Sequence, residues 1–234
     1  MRRLVVMAVA VACCAAIGCA RRPQESSPAE PNLGDQIDAV RSGRSDRIYL
    51  AEVAVGDADL AALADLSGLR VLIVERGAVT DAGLAHLARL VRLNWIKLPG
   101  TNVTDRGVEH LKGLSELRNL NLNQTEITDA GLEHLATLPR LELLRFGSPH
   151  VTDEGMSHVK AMKSLRFLHL LYVPITDAGL TRLVGMAWLE SLYLDGGIVT
   201  DEGLSEFIEA MPELHFHKDQ RHHQSDPRAD THDH

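Results

Sequence analysis

Apolar residues along positions 48 to 194 fall into two spacings, and the switch between them recurs every 24 residues. In each period two apolar residues stand two apart: Ile48 and Leu50, Leu72 and Val74, Ile96 and Leu98, Leu120 and Leu122, Leu144 and Phe146, Leu168 and Leu170, Leu192 and Leu194. Alternation of this kind predicts a short strand with one buried face. Further along each period the spacing widens to three, as in Leu84, Leu87, Leu90 and Leu93 or Leu132, Leu135, Leu138 and Leu141. That stripe predicts a short helix or 3₁₀-like turn packed on the strands. A strict period of this length marks a stack of repeats, each burying its apolar face against its neighbours.

Between strand and helix the dipeptide Thr-Asp occurs six times, at Asp81, Asp105, Asp129, Asp153, Asp177 and Asp201, each followed two residues later by Gly. Thr-Asp stands where a helix begins, where side-chain oxygens accept from orphan N–H groups and the helix dipole favours a carboxylate. Capping therefore explains these acids better than an acidic functional ladder does. One period before Asp81 lies Asp57, a degenerate first copy that brings the total to seven repeats. Residues 35–44 read as an N-terminal cap, a short helix burying Leu33, Ile37 and Val40. After Leu204 the apolar positions slip by one residue, through Phe207, Ile208, Met211 and Leu214, and Phe216 is the last expected core position. Residues 217–234 carry almost nothing apolar and read as a disordered tail.

The unit from Leu117 to Leu132, L-x-x-L-x-L-x-x-T-x-I-T-D-x-G-L, resembles the leucine-rich repeat, in the 24-residue class related to the cysteine-containing, F-box-associated repeats. The resemblance spans residues 45–216 and implies an α/β solenoid, curved, with a parallel sheet on the concave face and short helices on the convex face. Thr101 and Thr125 match the family's ladder position after the strand. Gly77, Pro149, Val173 and Gly197 depart from it, so the ladder loses its polar side chains there.

Upstream of the repeats, residues 1–18 have a basic start at Arg2 and Arg3 and then an uncharged apolar stretch, too short to span a bilayer comfortably. The segment Ala16-Ile17-Gly18-Cys19 resembles the bacterial lipobox, with Ala16 where Leu is usual. The resemblance implies that Cys19 is lipidated and that the mature protein is exported and anchored to the bacterial cell envelope. An ordinary signal peptide cut at a small residue is the alternative. Residues 19–34, with Pro23, Ser26, Ser27, Pro28 and Pro31, have the composition of a flexible tether. Cys13 and Cys14 lie in the leader, so the mature body has only Cys19 and can form no internal disulfide, thiolate metal site or catalytic thiol. Loss of Arg2 and Arg3 with the leader moves the net charge from −8 to −10, which argues against a nucleic-acid partner.

Residues that alternate with the buried strand positions point out of the open sheet face. Four of the nine aromatic residues fall there, at Tyr49, Trp95, Phe167 and Tyr193, beside Lys97, Asn119, Asn121, Arg145, His169 and Asp195. Aromatic anchors beside charged and amide groups have the composition of a recognition surface, so these ten are the candidate ligand-binding residues. His86, His110, His134 and His158 recur on the helical side, too far apart to share one zinc ion. Half of the 12 histidines lie in the last 20 residues, at His215, His217, His222, His223, His232 and His234, a composition suited to weak Zn or Ni binding. No phosphate loop or hydrolase motif is present, and no cofactor is expected. The expected role is a non-enzymatic, membrane-anchored module binding a protein or other macromolecule on its concave face. A metal-binding lipoprotein acting through its tail and a purely structural envelope component are the alternatives.

Overall fold

The computed structural model describes residues 32–51, 54–98, 102–219 and 221–222. The signal peptide, Cys19, most of the tether, Thr101 and the tail from 223 lie outside the described residues. Helix α1 (Leu33–Arg41) leads into β1 (Arg47–Leu50), α2 (Asp57–Ala61), β2 (Val71–Val74), α3 (Asp81–Leu87), β3 (Trp95–Lys97), α4 (Asp105–Glu109) and β4 (Asn119–Leu122). Then come α5 (Asp129–Leu135), β5 (Leu143–Phe146), α6 (Gly155–Ala161), β6 (Phe167–Leu171), α7 (Asp177–Leu183), β7 (Ser191–Asp195), α8 (Asp201–Ala210), β8 (His215–Lys218) and β9 (Arg221–His222).

The strands form one open sheet in chain order, parallel from β1 to β8, with β9 antiparallel at the end. Each residue pairs with the one 24 positions on, as in Ile48↔Leu72 and Leu144↔Leu168. The expected alternation is met: Ile96, Leu120, Leu144, Leu168 and Leu192 are fully buried, and so are the helix-side leucines from Leu84 to Leu183 that face them. Among the described residues no helix is long and apolar enough to cross a membrane.

Eight parallel strands exceed the seven expected repeats by one. The eighth keeps the period, pairing Leu192 with Phe216, although no Thr-Asp follows it. The slip after Leu204 is absorbed before the strand, by a ten-residue α8 and a shorter step from Leu214 to Phe216. The boundary expected at 217 therefore moves: His217 and Lys218 belong to β8, and the backbone continues into β9.

The first edge of the sheet is closed by one side chain. Gln36 of α1 donates from Nε2 to the Tyr49 carbonyl at 2.8 Å and accepts from Tyr49 N–H through Oε1 at 2.7 Å, standing in for a missing strand. Ile37 and Val40 are buried beside it as expected, while Leu33 is only partly covered.

Thr-Asp does more than start helices. The threonine caps as expected: Thr128 Oγ1 accepts from Ala130 N–H at 3.2 Å, and Thr80, Thr104 and Thr176 do the same in their repeats. The aspartate instead reaches into the next repeat. Asp105 Oδ1 accepts from Thr128 N–H at 2.8 Å and Oδ2 from the Thr128 hydroxyl at 2.7 Å. Asp57, Asp81, Asp129, Asp153 and Asp177 hold the following threonine by the same two bonds. The carboxylate packs so closely that a Cβ at Gly131 would lie 2.5 Å from Asp105 Oδ1, and the five equivalent glycines are as tight or tighter. Glycine follows each aspartate because the previous repeat's carboxylate occupies the space a side chain would need.

Candidate ligand-binding face

The sheet register sets Lys97, Asn121, Arg145, His169 and Tyr193 side by side on β3 to β7, about 4.8 Å apart. A parallel row runs Trp95, Asn119, Leu143, Phe167 and Ser191. The two rows bound a hollow of about 460 Å³. Eight of the ten candidate residues line it: Trp95, Lys97, Asn119, Asn121, Arg145, Phe167, His169 and Tyr193. Leu143 and Leu168 complete the lining.

Trp95 and Phe167 stand on strands three steps apart, about 14 Å at the usual strand spacing, and each is 42% exposed. Rings of that size left open to water on both flanks of a polar floor are available for contact. The floor between them holds its own charge pairs. Lys97 Nζ sits 2.6 Å from both carboxylate oxygens of Glu75, so its charge is already matched. His169 Nε2 lies 2.8 Å from Asp195 Oδ2. Burial pushes the His169 pKa below its usual 6.5; the hydrogen bond to Asp195 opposes that shift and the nearby Arg145 charge adds to it. At neutral pH the ring is uncharged and donates to Asp195.

Two candidates fall outside the hollow. Asp195 is buried at 5% exposure and orients His169 rather than facing solvent. Tyr49 is exposed but stands on β1, away from the hollow, with its backbone held by Gln36. The open row also extends one strand further than expected: His217 of β8 stacks on Tyr193 with centroids 4.2 Å apart and planes 4° from parallel. A step of 24 from Tyr193 reaches His217, so the period itself carries that signal.

Four buried polar atoms on this face have no hydrogen-bond partner among the described residues: Asn121 Oδ1, Asn123 Oδ1, Arg145 Nε and Ser191 Oγ. Ser191 therefore makes no hydroxyl–imidazole bond to His169 among the described residues. A second hollow, of about 600 Å³, opens past the ends of β4 to β6 and takes in Asn123, Gln124, Ser148 and Tyr172. Gln124 and Tyr172 there adopt left-handed backbone at φ 58° and 54°, in step with Gly196 at φ 75°. Sequence reasoning did not single out this rim, although the period aligns Gln124 and Tyr172 with glycine. Among the described residues no group of His, Cys, Asp and Glu could hold a metal ion, and the helical histidines remain apart.

No protein-family model and no curated protein matches the sequence. Among solved structures, an internalin from Listeria monocytogenes is similar in fold, with a TM-score of 0.60 and 22% identity, over 79% of this chain and 55% of the internalin chain. The chain thus spans about half the length of that structure. With the stacked parallel strands, the 24-residue register and this likeness together, the chain has the fold of a leucine-rich-repeat solenoid.

Proposed function

We propose that this solenoid is an exported, lipid-anchored, non-enzymatic recognition module that binds a protein partner on its concave face. The observation that carries the reading is the hollow between Trp95 and Phe167, where two open aromatic rings flank a polar floor. Aromatic anchors around partly desolvated polar groups are the composition in which binding energy concentrates. A hydrolase-like reading has less to stand on, since the sequence carries no phosphate loop or hydrolase motif and the hydroxyl of Ser191 makes no hydrogen bond to His169 among the described residues. Anchoring rests on the resemblance of Ala16 to Cys19 to a lipobox.

A photo-reactive amino acid placed at position 95 or 167 in the source bacterium tests the face. Both positions should yield one shared crosslinked protein, while the same probe at Val91, exposed on the helical side, should not. Crosslinking from position 91 alone would overturn the reading, and so would none from 95 and 167. For the anchor, Cys19→Ser should move the protein from the membrane to the soluble fraction. Continued membrane retention would remove the lipid from the proposal.

A further inference from the structure

We infer that the C-terminal end of the sheet holds a zinc ion on three histidines, His215 and His217 of β8 and His222 of β9. The site stands apart from the concave-face reading, and it uses three of the six histidines crowded into the last 20 residues. His215 and His217 alternate with buried Phe216 and so share the open face of β8. His215 Nδ1 and His217 Nε2 face each other 3.3 Å apart, their rings nearly perpendicular at 80°. Two nitrogens each about 2.0–2.1 Å from one tetrahedral zinc are separated by about 3.3 Å, so the pair has the length of one edge of such a site. Both nitrogens offer lone pairs at once when the rings carry their protons on His215 Nε2 and His217 Nδ1. Zinc then replaces the hydrogen bond between the two rings with no net release of a proton.

The third donor comes from the terminal hairpin. The side chains described on β8 supply two ligands, fewer than a metal-binding group needs. The antiparallel register sets His222 directly opposite His217, and residues directly opposite in a sheet share a face. Two histidines spaced i and i+2 on one strand, with a third opposite on the next, make a three-imidazole set with one coordination position left for water or a partner's donor. His217 is 9% exposed and stacks on Tyr193 at 4.2 Å, which fixes its ring before any metal arrives. The hairpin has a use for the ion. Strand β9 is only two residues long, and its other pairing sets Lys218 opposite Arg221, a like-charge couple that weakens it.

Titration of the metal-free full chain with Zn²⁺ against a chromogenic chelator should reveal one tight site. His217→Gln and His222→Gln should each weaken it by on the order of 100-fold, as loss of one of three ligands requires. A triple variant with His223→Gln, His232→Gln and His234→Gln should bind like the unaltered chain, because those residues lie outside the set. Cobalt(II) in place of zinc should give the intense visible absorption of a tetrahedral nitrogen site, and His222→Gln should abolish it. Folding is checked without metal, where all variants should unfold at the same denaturant concentration as the unaltered chain. Added Zn²⁺ should then raise the midpoint of the unaltered chain and of the triple variant only. Absence of a tight site, binding indifferent to His217 and His222, or loss of binding in the triple variant would each overturn the assignment. The last result would give the metal to the tail rather than to the end of the sheet.

Discussion

The helix side and the sheet side of this solenoid are cut from the same 24-residue unit, yet one repeats its chemistry and the other does not. On the helix side, six aspartates hold six threonines and press against six glycines with nearly the same geometry. On the open sheet face, one row reads Tyr49, Ile73, Lys97, Asn121, Arg145, His169, Tyr193 and His217, with no motif repeated. The difference lies in what each position touches. A side chain in the joint contacts its own counterparts in the next repeat, so a change at one place breaks a fit at the next. A side chain on the open face meets solvent or a partner, and the stack tolerates variety there.

The largest effect should come from the joint. Gly131→Ala drives a Cβ against Asp105 and is expected to cost about 3 kcal/mol in denaturant unfolding, within the range for overpacking a tight contact. Asp105→Ala should cost about 2–3 kcal/mol by leaving the Thr128 N–H and hydroxyl without their acceptor. If the two residues share one contact, the double variant should be little worse than Asp105→Ala alone. Simple addition of the two losses would show that the glycine is required for another reason. By contrast, Trp95→Ala with Phe167→Ala should abolish co-purification of the protein that probes at 95 and 167 crosslink, while changing unfolding free energy by less than about 1 kcal/mol. A stability loss as large as that of Gly131→Ala would erase the distinction between joint and face.

Acid should separate the two sides as well. At Asp57, desolvation works to raise the pKa, but hydrogen bonds from the Thr80 hydroxyl, the Thr80 N–H and the Gly83 N–H outweigh it and leave it below 3.8. At Asp177 the Thr200 hydroxyl and N–H have the same net effect. A folded-state pKa below the unfolded value gives stability that is present above 3.8 and lost as pH falls through the folded pKa. Asp57→Asn should flatten that loss in denaturation curves taken below about pH 4. His169 acts in a higher window. Its folded pKa lies below 6.5, mainly through burial, so its contribution is full above 6.5 and declines as pH falls from there through the folded pKa. His169→Phe should remove that smaller dependence and leave the acid transition of the aspartates in place.

Much of this was legible in the chain, for reasons that differ by region. The buried strand rows could be read directly, because period-two alternation needs only the residue types within one strand. The eighth strand does not show in the Thr-Asp pattern, because no Thr-Asp follows Phe216, although the 24-residue step from Leu192 does reach it. The forward reach of the aspartates was not legible, since Asp105 and Gly131 are far apart in sequence and meet only after stacking. On the open face the rows named the right neighbourhood. Only the folded chain shows that Asp195 is covered, that Lys97 is neutralised by Glu75, and that Arg145 has no ion pair among the described residues.

The aspartate joint also gives the stack a direction. Asp57 projects forward to Thr80, but its own helix begins at Gly56, which offers no hydroxyl to a preceding carboxylate. At the other end Thr200 and Gly203 receive Asp177, while Asp201 meets no threonine among the described residues and lies 3.8 Å from Lys218. Among the described residues the first unit carries only the plug and the last only a filled socket, and every unit between them carries both. Such a chain can be lengthened or shortened by whole units anywhere in its middle, each splice meeting the same fitting on either side. An added unit would shift the surfaces beyond it by one strand spacing, so the molecule is in effect a gauge whose length is set in steps of about 4.8 Å.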